Sequence, residues 1–144
     1  MPPQLRPATL ADAPEIARLS SELGYPGNEA VFTARLESLL NRPYHHVVVA
    51  QIEPTTLLGW VAAERRLILE SGEIVEITGL IVDPNSRRAG VGHALVGVIE
   101  QWAAAQCVAS LWVGSNMIRA ESHPFYEKLG FVFTKTQHVY AKVL

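Results

Sequence analysis

At 144 residues the chain can bury one sizeable core but not two, so a single domain spanning residues 1–144 is expected. It is 49% hydrophobic and 18% charged with a formal net charge of −2, which leaves no electrostatic drive toward nucleic acid or an anionic membrane. A single cysteine, Cys107, excludes an internal disulfide.

The N-terminal MPPQLRPATL lacks the charged stretch and long apolar core of a signal peptide, and no apolar run approaches membrane-spanning length, so a cytoplasmic protein is expected. Leu5 to Pro7 reads as a short extended piece. Thr9 follows as an N-cap, and Pro14 and Glu15 are first-turn signals of a helix carried by Ile16, Leu19 and Leu23 and stopped at Gly24. Asn28 caps a second helix with Phe32, Leu36, Leu39 and Leu40 on one face. The intervening loop, Gly24-Tyr25-Pro26-Gly27, is either a plain connection or an overhang above a cleft. His46 to Ile52, Leu57 to Leu69 and Glu73 to Val82 are β-branched or alternating runs joined by short turns, which predicts an antiparallel meander. From Val91 a helix places Val91, Ala94, Leu95, Val98 and Trp102 on one face. Cys107 is expected as a buried small hydrophobe before a strand from Val108 to Val113. A helix ending at Gly130 and two last strands, Phe131 to Lys135 and Gln137 to Val143, complete the order β-α-α-β-β-β-α-β-α-β-β.

The chain is organised around Glu73 to Gly92, EIVEITGLIVDPNSRRAGVG. An apolar strand through Leu80, Ile81 and Val82 delivers the turn Asp83-Pro84-Asn85-Ser86 and then Arg87-Arg88-Ala89-Gly90-Val91-Gly92 to a helix N-terminus. Backbone N–H groups that converge without intervening side chains, a helix dipole and two arginines together suit a phosphate, whereas a plain strand-turn-helix would need the glycines only for the bend. The spacing fits neither the P-loop, which needs Lys-Ser/Thr after its last glycine, nor the dinucleotide GxGxxG.

Arg87-Arg88-Ala89-Gly90-Val91-Gly92 does resemble the R-x-x-G-x-G of the GNAT acetyltransferases, and Leu80-Ile81-Val82-Asp83-Pro84 resembles the strand that enters that family's pyrophosphate loop. Arg119 to Phe131, RAESHPFYEKLGF, resembles the R-x-x-A-H-x-F-Y-x-x-x-G-F of one GNAT branch, which is similar to aminoalkylphosphonate and aminoglycoside N-acetyltransferases. The two motifs stand in the family's order, and the resemblance covers nearly the whole chain. It implies an α/β (α+β) GNAT fold, a mixed and mostly antiparallel sheet of about seven strands flanked by four helices. It also implies acetyl-CoA as co-substrate, with the loop from Arg87 to His93 (Arg87, Arg88, Ala89, Gly90, Val91, Gly92 and His93) holding pyrophosphate and the backbone edge of Leu80, Ile81 and Val82 holding the pantetheine arm and the acetyl carbonyl. Asn116, Arg119 and Ser122 are further cofactor-side candidates. An isolated glycine within a strand often marks a bulge, so Gly79 is expected to open that edge.

Acetyl transfer to an amine needs a base, because an amine of pKa near 10 is only about 0.1% unprotonated at neutral pH. Glu76 stands where a number of GNATs carry a catalytic glutamate, and Glu73 is the second candidate. On simple alternation Ile74, Glu76 and Thr78 share one face and Val75 and Ile77 the other; an outward, solvated glutamate is the alternative for Glu76. Tyr126 matches the tyrosine that in many GNATs lies beside the thioester sulfur, where a neutral phenol can protonate the departing thiolate; the alternative is packing, the role expected of Phe125. Two departures from the motif, Ser122 for alanine and Pro124 after His123, predict a helix that begins near Ser122 rather than earlier.

His45 and His46 are adjacent and so point to opposite faces of a strand. His93, His123 and His138 lack metal-ligand spacing, and no metal is expected. There is no G-x-S-x-G elbow. Three function classes remain: an N-acetyltransferase, a silent CoA-binding or sensing module, and an interaction protein with a vestigial loop. For the first, the acceptor is a small amine such as an aminoalkyl phosphonate, an aminoglycoside, an amino acid or a polyamine, ahead of a peptide or protein. The alternating last segment, Gln137 to Leu144, at a sheet edge favours a homodimer.

Overall fold

The computed structural model describes residues 2–86, 89–114 and 122–144, the side chain of Ser122 excepted. Contacts divide the chain into two units, residues 1–114 and 115–144.

The first unit is a five-stranded sheet with three helices, β1 (Gln4–Pro7), α1 (Ala13–Glu22), α2 (Glu29–Leu40), β2 (His45–Glu53), β3 (Thr56–Ile68), β4 (Gly72–Val82), α3 (Val91–Ala105) and β5 (Leu111–Val113). The strands lie in sequence order; β1 to β4 are antiparallel and β5 runs parallel to β4. The antiparallel part follows from tight turns, Pro54-Thr55 between β2 and β3 and Leu69 to Ser71 between β3 and β4, where Gly72 takes φ +81°. The parallel step needs a crossover, which α3 supplies. Helix starts follow their signals: a short 3-10 turn at Leu10–Asp12 precedes α1, Pro14 occupies its first turn, and the Asn28 side chain accepts from Val31 N–H at the start of α2. Among the described residues no helix is long and apolar enough to cross a membrane.

Each sheet face has its own core. Ile16, Leu19 and Leu36 of the first two helices pack with Val47, Val49, Ala62 and Ile81. The alternate strand residues, Val48, Val61, Ala63, Val75 and Ile77, are buried on the face that carries α3. The buried stripe of α3 is Val91, Leu95, Val96, Ile99 and Ala103, rotated from the expected one: Ala94, Val98 and Trp102 are only half-buried. Trp102 lies at the margin, where it stacks on His46 with centroids 5.1 Å apart. Burial lowers the His46 pKa. His45 points to the opposite face, 3.5 Å from Glu64.

Two other expectations fail in this unit. Strand β5 is three residues long rather than six. Cys107 is exposed rather than buried, because it forms the left-handed turn just past the end of α3. It adopts φ +61°, its N–H donates to the Ala104 carbonyl and the Val108 N–H donates to that of Ala103, a Schellman ending in which the left-handed position usually belongs to glycine.

In the second unit α4 (Ser122–Lys128) begins at the expected residue, so Pro124 falls in the first turn, where its missing N–H breaks no helical bond. It ends in the same way as α3, with Gly130 at φ +93°, Gly130 N–H on the Glu127 carbonyl and Phe131 N–H on that of Tyr126. Residues 131–144 form no strand, so the sheet has five strands among the described residues rather than about seven. Their alternating pattern is that of a strand, but a strand exists only when a second one takes up its N–H and C=O groups, and Val132, Phe133, Val139, Tyr140 and Val143 are all exposed.

Candidate active site

Strand β4 is paired on both sides for only part of its length. Val75, Glu76 and Ile77 lie between β3 and β5, whereas Gly79 to Val82 are in register with Gly59 to Ala62 of β3 alone among the described residues. The Asp83 N–H donates to the Leu58 carbonyl across β3, so by the alternation of an antiparallel ladder the N–H and C=O groups of Leu80 and Val82 point away from β3, to the edge that no described strand pairs with. The change occurs at a bulge: the register passes from Ala62–Gly79 to Ala63–Ile77, which leaves Thr78 as the extra residue, its hydroxyl bonded to the Ala62 carbonyl at 3.2 Å. Gly79 therefore marks the bulge as expected, with the unpaired residue one position earlier.

Past Val82 the chain makes an Asx turn, Asn85 N–H to Asp83 Oδ1 at 2.9 Å, and a 3-10 turn at Pro84–Ser86. Arg87 and Arg88 lie outside the described residues. Ala89 and Gly90 then turn into α3, with Gly90 as the N-cap at φ +80°, a conformation open to glycine and strained for other residues. Its absent side chain leaves the helix uncapped. The Ala94 N–H takes up the Gly90 carbonyl, so the amides of Val91, Gly92 and His93 form an anion-favouring terminus at the positive end of a helix of 15 residues. The open edge of β4 and this helix N-terminus are thus adjacent in sequence and belong to one unit.

Glu76 is half-buried and ion-paired. Its Oε1 accepts from Arg66 Nη1 at 2.6 Å, Arg66 Nε lies 3.4 Å from Glu64 Oε1, and the far side of Glu64 reaches His45. The cross-strand pair Glu64–Glu76 would repel without that guanidinium between them. The bulge also changes the expected faces. Register places Glu76 with Glu64 and Gly79 with Ala62, so Glu76 and Gly79, three residues apart, share the face that carries α1 and α2, and simple alternation fails at Thr78. Glu73 is engaged at the other end of the strand, by Arg65 Nε at 3.1 Å.

Tyr126 lies on α4, half-buried in an edge-to-face cluster with Phe125 at 5.1 Å and Phe131 at 5.7 Å between centroids. Asn116 and Arg119 lie outside the described residues, and of Ser122 only the backbone, at the start of α4, is described.

Residues 13–131 match the Acetyltransferase (GNAT) family. The chain belongs to that family. Among solved structures this GNAT chain is similar to the aminoglycoside 6'-N-acetyltransferase AAC(6')-IG from Acinetobacter haemolyticus, at 21% identity and TM-score 0.84, covering 98% of this chain and 99% of that one. It is similar also to AAC(6')-Iy in complex with the bisubstrate analog CoA-S-monomethyl-acetylneamine, at 19% identity and TM-score 0.85 over 98% of both chains. A GNAT family acetyltransferase of Staphylococcus aureus matches at 18% identity and TM-score 0.80 over 99% of this chain and 100% of that one. Likeness at these identities shows the GNAT fold. Among curated proteins none matches significantly.

The GNAT domain also carries a pocket that the sequence pattern does not announce. A cavity of about 210 Å³ opens between α2 and the sheet, lined among others by Phe32, Leu36, Leu39, Trp60 and the bulge residues Thr78 and Gly79. A Cβ at Gly79 would stand 2.8 Å from the benzo edge of Trp60, so that glycine lets the indole lie against β4. The indole N–H is buried without an acceptor among the described residues, so packing holds the ring. Gly27, in the loop before α2, would bring a Cβ within 2.9 Å of the Phe32 ring, so this loop closes onto a pocket residue. Trp60 and Arg66 were invisible in the sequence because their roles depend on the β3–β4 register. The small residue at 79 is the signal that accompanies Trp60. Among the described residues no group of three metal-ligating side chains occurs.

Proposed function

We propose that this GNAT domain is a cytoplasmic N-acetyltransferase that moves the acetyl group of acetyl-CoA to the primary amine of a small molecule. The observation that carries this proposal is the edge at Leu80 and Val82, unpaired among the described residues, running into the uncapped start of α3, in a chain of the acetyltransferase family. The amides of Gly90, Val91, Gly92 and His93, with Arg87 and Arg88, hold the pyrophosphate, while the Ala89 N–H is taken by the Ser86 carbonyl. The edge groups of Leu80 and Val82, on either side of the buried Ile81, whose own backbone groups face β3, hold the pantetheine arm as an added strand would be held. The solved AAC(6')-Iy complex, with its CoA-based bisubstrate analog, supports this ligand class.

In the transfer, Glu76 accepts a proton from the acceptor ammonium, and Arg66 orients the carboxylate. The freed amine lone pair forms the new C–N bond to the acetyl carbon as the C–S bond breaks, and Tyr126 O–H protonates the leaving thiolate. Asn116, Arg119 and Ser122 are assigned to the cofactor side on the motif alone. A homodimer built through residues 137–144 belongs to the same proposal; light scattering at micromolar concentration should give twice the chain mass, and a monomer there removes it.

The test is release of free CoA thiol from acetyl-CoA with a panel of primary amines, alongside thermal stabilisation by CoA. Amine-dependent thiol release is expected. Stabilisation by CoA with no release for any amine would make the domain a CoA-binding module, and no stabilisation would reject the ligand site.

A further inference from the structure

The pocket beside Gly79 narrows the acceptor class. We propose that the acceptor is an amine with a flat or branched apolar body and an anionic group remote from the amine, recognised by Arg35 at the pocket mouth. This inference rests on the transferase function proposed above.

Three observations carry it. The cavity walls are apolar, with Phe32, Leu36 and Leu39 from α2 facing Trp60 on β3, and about 210 Å³ holds a body of one ring rather than an oligosaccharide. The charged residue among those lining it is Arg35, a cation. Its guanidinium lies 5.8 Å over the Phe32 ring, and no carboxylate pairs with it among the described residues. The adjoining groove continues with Arg35, Ser38 and Arg42 and again contains no carboxylate. A polycation entering here would lose water and face like charge, whereas a carboxylate or phosphonate would meet a free planar donor fork.

The floor sets the orientation. Thr78 and Gly79 line the pocket at the point where the β4 edge opens, and Glu76 is on the same face three residues back. An acceptor whose ammonium faces Glu76 therefore lays its apolar body between Phe32 and Trp60 and turns its anion toward Arg35. The polyamine and aminoglycoside options drop below amino acids and aminoalkyl phosphonates. The aminoglycoside acceptors of the structurally similar enzymes do not carry over, because the walls of this pocket offer no acid to bind them.

The experiment compares 4-(aminomethyl)benzoate, its isostere 4-methylbenzylamine, and neamine with the full chain saturated with CoA, by calorimetry for binding and by thiol release from acetyl-CoA for kcat/KM. The carboxylate probe is expected to bind about fivefold tighter than its isostere, the scale of an exposed ion pair, and to lead in kcat/KM. Arg35 is exposed on α2, so Arg35→Glu should fold and invert that preference. Equal binding of the two isosteres, tighter binding of neamine, or no binding of any probe to the CoA complex would each overturn the inference. Turnover of neamine would do so while leaving the transferase function standing, and failure of CoA itself to bind would remove that function instead.

Discussion

The two halves of β4 share one backbone and differ in what pairs with it. At Val75 to Ile77 both edges are taken, by β3 and by β5, and the Val75 N–H donates to the Ser110 carbonyl at 3.0 Å. At Leu80 to Val82 one edge is taken by β3 and the other is unpaired among the described residues, and the chain runs on from there to the N-terminus of α3. The first half is paired on both sides and the second is the docking edge of the function proposed above, although both are rich in Val and Ile. What separates them is a one-residue bulge at Thr78 and a three-residue β5.

The largest effect is expected at the helix start that closes the open half. Gly90→Glu places a carboxylate where phosphates are to bind, and like charges brought together cost several kcal/mol, so CoA affinity should fall by roughly 100-fold in a titration. The Cβ itself meets nothing within 4 Å, so the domain should stay folded despite the strain of φ +80°, about 1–3 kcal/mol. Unchanged affinity in a folded variant would show that the two features are unrelated.

Proline exchanges test the halves against each other. Val75→Pro removes the donor of a sheet bond and should destabilise the domain by roughly 1–3 kcal/mol in urea titration. Val82→Pro removes an N–H that points away from β3 and is not used by it. It should leave stability nearly intact and weaken CoA binding about tenfold, the worth of one hydrogen bond at its upper range. The reverse outcome would mean that the ladder alternation was assigned the wrong way.

Much of this was legible from residue patterns, for identifiable reasons. Local signals located α1, α2 and the β2–β4 meander, because caps, prolines and two-residue turns act within a few residues. The strand and the helix on either side of the proposed ligand loop were legible too, since Leu80 to His93 is contiguous in sequence. What failed depended on partners distant in sequence. Residues 131–144 have the alternation of strands but no partner strand among the described residues; Cys107 is the local exception, a left-handed turn closed by bonds to Ala103 and Ala104 at a position that carries no glycine to announce it. The Arg66 that holds Glu76 comes from the neighbouring strand in a register set by the bulge.

pH separates scaffold from docking edge more gently. Burial holds the His46 pKa below its unfolded value of about 6.5, so the unfolded chain takes the proton more readily. The stability tied to neutral His46 is present above that unfolded value and is lost as pH falls through it toward the folded one. Thermal midpoints should therefore drop on the acid side of about 6.5, and His46→Phe, which keeps a ring against Trp102, should flatten that slope. The smallest effect is expected at the far end of α3. Cys107→Gly relieves a left-handed non-glycine position and should add about 0.5–1 kcal/mol of stability with CoA affinity unchanged.

The central claim is that one half of β4 and the start of α3 together hold the acetyl carrier. Its most direct measurement is a CoA titration followed by amide NMR on the full chain. The amides of Leu80, Val82, Val91, Gly92 and His93 should shift most, while those of Val75 and Ile77, already paired across the sheet, should shift least. Equal shifts along the whole of β4, or the largest ones at β1 or in residues 131–144, would contradict the claim.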